Sequence, residues 1–222
     1  MCFSATASFG AATVLSVAGA VAIGLGKTKA QRLFGAIPLI FSIQQFTEGM
    51  LWLSMKNPHL AIYHSLFTIL FLVFALLLWP VYVPFTVWLL EKDRKRKKIL
   101  GTLLCAGGAV TLSLIYVLLS YPVRVIGDRH HIHFSFDIPA MAKNIKWVVS
   151  LGYFTATITA PFIAGYKRMK WLGIAFLVTF VFTVIFYSGF LVSVWCYFAA
   201  LVSVVIIWII RGFQKQFPES VL

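Results

Sequence analysis

The chain alternates long apolar runs with short basic connectors, and seven runs approach the roughly 18 or more residues that a membrane helix needs. They cover Ser8–Gly26, Leu33–Met55, Ile62–Leu90, Ile99–Tyr121, Ile145–Gly165, Trp171–Tyr187 and Phe190–Ile210. Unbroken apolar runs of this length predict helices rather than the alternating strands of a barrel. The third run is the longest and contains Pro80 and Pro84, so a kink or tilt is expected there. In the first run, Ala12, Ser16, Ala20 and Gly24 recur every fourth residue, a small-residue stripe that lets another helix approach closely.

The segment between the fourth and fifth runs breaks this pattern. Val123 and Val125, then Ile132, Phe134 and Phe136, alternate with polar residues around Gly127-Asp128. That alternation predicts a short β-hairpin with His131, His133, Ser135 and Asp137 on one face and the apolar residues on the other. The apolar face would lie on the helix bundle as a lid. The fold class expected is therefore an all-α integral membrane protein of seven spans, with a hairpin-like loop at 122–143, a basic tail at 211–222 and one domain over 1–222.

Composition agrees. The 222 residues are 61% hydrophobic and only 11% charged, and their mean hydropathy is +0.93. A soluble domain carries about 25% charged residues. The net charge of +13 could signal nucleic acid, but the distribution of Lys and Arg points to membrane orientation instead. Fourteen of the 19 fall in the connectors near residues 27–32, 92–98, 167–170 and 211–215, and five in the alternate set. The first set is expected in the cytoplasm, which puts the N-terminus outside, the C-terminus inside and the hairpin outside. No basic stretch precedes the first run and no apolar run precedes Cys2, so no cleaved signal peptide is expected.

Against this background Glu48 stands out. It is the only acidic residue inside an apolar run; Glu91, Asp93, Asp128, Asp137 and Glu219 occupy connectors or the tail. A carboxylate at membrane depth costs several kcal/mol unless it is paired, protonated or wetted, so it marks a functional site. At about 1.5 Å per residue it lies some 10 Å below the outer boundary. Gln44 and Trp52 share its helix face at i−4 and i+4, and Gln45 is close at i−3. His64 and Cys196 fall at similar depth in other spans, Ser193 and Tyr197 flank Cys196, and Cys2 precedes the first span on the same side.

The candidate chemistry follows from these residue types. Gln44, Gln45, Glu48, Trp52 and Trp195 could bind a small ligand on the outer side. Cys2, Glu48, His64, His130, His131, His133 and Cys196 could supply thiolate, imidazole and carboxylate ligands to zinc or copper. Alternatively Cys2 and Cys196 form a disulfide on the oxidising side. Cys105, near the cytoplasmic end of its run, reads as a small buried apolar residue. A sensor or transporter-like protein, a metal-dependent hydrolase, a thiol oxidoreductase and a structural or partner-binding subunit all stay open. The seventh run has no lysine for a Schiff base, which excludes an ordinary rhodopsin.

The stretches Met1-Cys-Phe-Ser-Ala-Thr-Ala-Ser8, Pro38-Leu-Ile-Phe-Ser-Ile-Gln-Gln-Phe-Thr-Glu-Gly-Met-Leu-Trp52, His130-His-Ile-His-Phe134 and Ser193-Val-Trp-Cys-Tyr-Phe-Ala-Ala200 span the chain. Through them it resembles small bacterial seven-span membrane proteins assigned to a domain of unknown function. The resemblance implies a bacterial inner-membrane location and points at Cys2, Gln44, Gln45, Glu48, His130, Trp195 and Cys196. His64, His131 and His133 do not match it clearly, and it implies no activity.

Overall fold

A computed structural model describes residues 4–128, 131–139 and 143–216. Among the described residues ten α-helices run from α1 (Ala5–Leu25) through α2 (Lys29–Gly35), α3 (Ile37–Lys56), α4 (His64–Leu72), α5 (Trp79–Leu90), α6 (Arg94–Ser120), α7 (Lys143–Ile163), α8 (Met169–Tyr187) and α9 (Leu191–Val202) to α10 (Val205–Gln216). Strands β1 (Val123–Asp128) and β2 (His131–Phe136) pair antiparallel, with Val125 opposite Phe134 and Gly127 opposite Ile132. Four helical stretches among the described residues are long and apolar enough to cross a membrane: Ala5–Leu25, Pro58–Leu90, Arg94–Ser120 and Met169–Phe213. A shorter apolar helix covers Trp147–Ile163. Helices of this kind make the chain a helical membrane protein in contact with lipid.

Helices α1 and α3 form a tight antiparallel pair. Ser42 donates to the Ala12 carbonyl at 2.7 Å, and its hydroxyl oxygen then accepts from Ser16 at 2.6 Å. A Cβ on Gly19 would stand 2.5 Å from the Leu39 nitrogen. The buried stripe of α1 is Ser8, Ala12, Leu15, Gly19 and Ala22, whereas Ala20 and Gly24 are exposed. This corrects the stripe expected from fourfold spacing. A strict four-residue repeat advances about 400° per step and spirals off the contact face, while alternating steps of four and three follow it.

Pro80 determines the shape of the third apolar run. Proline lacks an N–H, and its ring clashes with the carbonyl four residues earlier. The chain widens into a π-helical stretch at Val73–Leu78 just before it, as helices under such strain do. Wide turns release carbonyls, and neighbouring helices take them. Tyr153 of α7 donates to the Ala75 oxygen at 2.6 Å, and Thr111 of α6 donates to the Leu77 oxygen at 3.0 Å. Gly107 of α6 lies directly on the Pro80 carbonyl. Tyr153→Phe should cost about 1–3 kcal/mol, the penalty for stranding a buried carbonyl. Thermal unfolding in detergent checks this, and an unshifted transition would refute the bond's role.

Glu91 organises one end of the bundle. Its Oε1 accepts from the backbone N–H of Lys92 and Asp93, each at 3.0 Å, and its Oε2 from Gly165 at 2.6 Å. This carboxylate ties the α5–α6 connector to the α7–α8 connector, a role that its place in a charged loop does not announce. Nearby, Arg168 donates to the Trp208 carbonyl at 2.8 Å and covers the Trp208 ring. The β-hairpin covers the opposite end. Ile132 is fully buried with Leu51 and Trp52, and Phe134 stacks on Phe71 with ring centroids 5.3 Å apart.

Candidate functional site

Helical spacing gathers Phe41, Gln44, Gln45, Glu48 and Trp52 on one buried face of α3. Glu48 has no solvent exposure. Ser193 of α9 donates its hydroxyl to Glu48 Oε1. Gln44 Oε1 accepts from Trp79 Nε1 at 2.9 Å, and Trp79 stacks on Phe41 with centroids 3.9 Å apart. The Gln45 amide is oriented toward Glu48 but lies outside hydrogen-bonding geometry. Cys196, one turn after Ser193, is a buried free thiol near both Glu48 and Gln44. Phe9 of α1 packs on Gly49, which brings Ser8 to the level of Glu48.

Several polar atoms of this cluster have no partner among the described residues. Ser8 Oγ, Gln44 Nε2, both amide atoms of Gln45, Glu48 Oε2 and Trp52 Nε1 are buried without a hydrogen-bond partner there. Each such group costs about 1–3 kcal/mol if left unmet. Six of them together rival the whole stability of a folded domain, about 5–15 kcal/mol. The set includes donors and acceptors, so it suits a ligand that can both give and receive hydrogen bonds.

A cavity of about 100 Å³ meets the cluster at Cys196 and is lined by Ala75, Tyr153 and Trp195 among others. Trp195 packs edge-on against Tyr153, Phe154 and Phe180, and its Nε1 has no partner among the described residues. The cavity leads toward a groove of about 810 Å³ beneath the hairpin; Leu76, Leu114, Val149, Ser150, Leu191 and Val192 line both.

The candidate metal ligands do not converge among the described residues. His64, half-buried at the start of α4, gives its Nδ1–H to Ser54 Oγ at 3.1 Å, because that hydroxyl already donates to the Leu51 carbonyl. His133 donates Nδ1–H to the Gly189 carbonyl at 2.6 Å. His131 stacks on Phe190 at 4.5 Å between centroids. Both hairpin histidines thus address the Ser188–Phe190 turn, away from Glu48. No group of three or more His, Cys, Asp or Glu side chains able to hold a metal occurs among the described residues. Cys2 and His130 lie outside the described residues, and with them the Cys2–Cys196 disulfide. Cys105 is an exposed free thiol.

Trp79 escaped the sequence reading, and Ser193 entered it only as a neighbour of Cys196. Trp79 reaches Gln44 from 35 residues away, and Ser193 reaches Glu48 from 145 away. For Ser193 a signal exists, since it shares a helix face with Cys196. For Trp79 there is none, because it follows the π-helical stretch.

No curated protein and no solved structure matches the chain. The model of a family of unknown function, DUF6629, matches residues 1–219.

Proposed function

The chain belongs to DUF6629, a family of unknown function, so no activity comes with membership, and we propose from the geometry that it binds a small polar ligand inside the membrane at Glu48. Its type is that of a sensor or transporter-like protein of the bacterial inner membrane. The seven crossings are α1, α3, the Pro58–Leu90 stretch, α6, α7, α8 and the α9–α10 pair. The connectors rich in Lys and Arg meet at the Glu91 end, which supports a cytoplasmic placement for that end and an outer placement for the hairpin.

The observation that carries the reading is the free Glu48 oxygen and five further buried polar atoms on α1 and α3 that have no partner among the described residues. Packing alone does not retain such a set, because apolar side chains of the same shape would be more stable. A ligand bearing both donors and acceptors turns each of these costs into a hydrogen bond.

A second reading rests on the proximity of Glu48 and Cys196. Carboxylate and thiolate are two ligands for zinc or copper, and a closed site needs about four. Cys2 and His130 would have to complete it. That site would need both of them beside Glu48.

Native mass spectrometry of the detergent-purified chain separates the readings. The expected result is an organic adduct that disappears in Gln44→Leu/Gln45→Leu while the variant stays folded. Stoichiometric zinc or copper by elemental analysis would favour the metal site instead. A bare chain mass for the wild type, with no metal, would sink both.

A further inference from the structure

We infer that the ligand is a single-chain membrane amphiphile that reaches the site sideways from the bilayer, polar end first, through the groove beneath the hairpin. This inference rests on the binding site at Glu48 and adds the class of ligand and its route.

The groove is about 810 Å³ and mostly apolar, with Ser113, Tyr116, Tyr121, His133, Ser150 and Ser188 as its polar lining. Leu114 and Val117 of α6 form one wall, Leu191 and Val192 of α9 another, and Phe134 and Phe136 of β2 the roof. The outer half of α6 beside it exposes Leu112, Tyr116 and Leu119. In a membrane such a surface meets hydrocarbon, so the mouth of the groove opens toward acyl chains rather than water. Hydrocarbon walls on a hydrocarbon solvent fit an alkyl chain. A soluble polar ligand would gain nothing from them.

The inner end is different. Leu76, Leu114, Val149 and Val192 continue into the 100 Å³ cavity, which ends on Trp195 and Cys196; the Trp195 N–H is buried in that wall without a partner among the described residues. That volume takes a head of a few heavy atoms. An alcohol, a carbonyl or a small amide fits, and a phosphodiester headgroup does not. A head accepting from Trp195 Nε1 also lies beside Cys196, which is near Glu48 and follows Ser193 by one turn. The head thus reaches the Cys196 edge of the polar cluster, whose other members do not line the cavity, while its chain trails toward the bilayer.

The test uses the full chain in phosphatidylcholine vesicles with a hexadecanol carrying a mid-chain diazirine. After irradiation, label is expected on Leu114, Leu191 and Val192, and excess plain hexadecanol should remove it. Val192→Trp and, on the opposite wall, Leu114→Trp should each cut that label at least tenfold, the effect of about 1.4 kcal/mol of lost binding. Label spread equally over the lipid-facing Val178, Phe182 and Ile185 of α8, and not competed, would overturn the inference. So would a wild-type adduct that survives both tryptophan variants and still disappears on Gln44→Leu/Gln45→Leu. In that case the site at Glu48 would stand and only its route and ligand class would fall. A wild type with no adduct would remove both.

Discussion

Gly107→Ala should prevent α5 and α6 from closing and lower stability by about 3 kcal/mol, the upper range for overpacking a tight contact. The added methyl would overlap the Pro80 carbonyl oxygen and stand 2.8 Å from its carbon. Neither atom can rotate away, because both belong to the backbone. Thr111 bonds the adjacent Leu77 carbonyl from the same helix, so α6 cannot slide without losing that bond too. Gly108→Ala supplies the control. It has nothing within 4 Å of its Cβ, and replacing a helical glycine by alanine typically gains about 0.5–1 kcal/mol. Thermal unfolding of both variants in one detergent should separate them widely. Equal transitions would show that the α5–α6 contact is not held where the structure puts it.

Glu48→Gln should abolish ligand binding and leave the fold as stable as before, or more stable by about 1 kcal/mol. The amide oxygen still accepts from Ser193, and a neutral amide is cheaper to bury than a charged group. What changes is the group presented at Oε2, an acceptor that becomes a donor. A ligand that donates there loses its partner and meets an opposing N–H, which should weaken it at least tenfold, or by more than about 1.4 kcal/mol. Ser193→Ala works the other way. It removes the Ser193 hydrogen bond from Glu48 and should cost about 1–3 kcal/mol of stability. Unfolding transitions measured beside adduct occupancy give the answer. If Glu48→Gln unfolds as readily as Ser193→Ala, the carboxyl group is structural and the proposed site fails.

Much of this was legible from the chain because membrane depth makes polarity conspicuous. Glu48 in Gln44-Gln45-Phe-Thr-Glu48 marks the site by cost alone, and helical spacing puts Gln44, Gln45 and Trp52 on its face. The depth match between Glu48 and Cys196 also followed from counting residues along apolar runs. Three things were not legible. Depth does not fix azimuth, so His64, at the right height, turns to Ser54 instead of Glu48. Spacing does not fix the helix that a stripe faces, so the contact side of α1 runs through Gly19 rather than Ala20 and Gly24. A charged loop hides a specific partner, so Glu91 gave no hint that it would hold the Gly165 N–H. In each case the missing information is an orientation or contact between segments far apart in sequence.

The π-helical stretch before Pro80 also sets an angle. An α-helix advances about 100° per residue, and a single wide turn spends one extra residue without completing the corresponding rotation. Trp79, the first residue beyond Val73–Leu78, points at Gln44 only because of that phase offset. Drawing the same residues back into ordinary α-helical turns would rotate everything beyond Leu78 by about 100° and swing the indole away from α3. The wide turns before Pro80 therefore aim one side chain as well as hand two carbonyls to neighbouring helices.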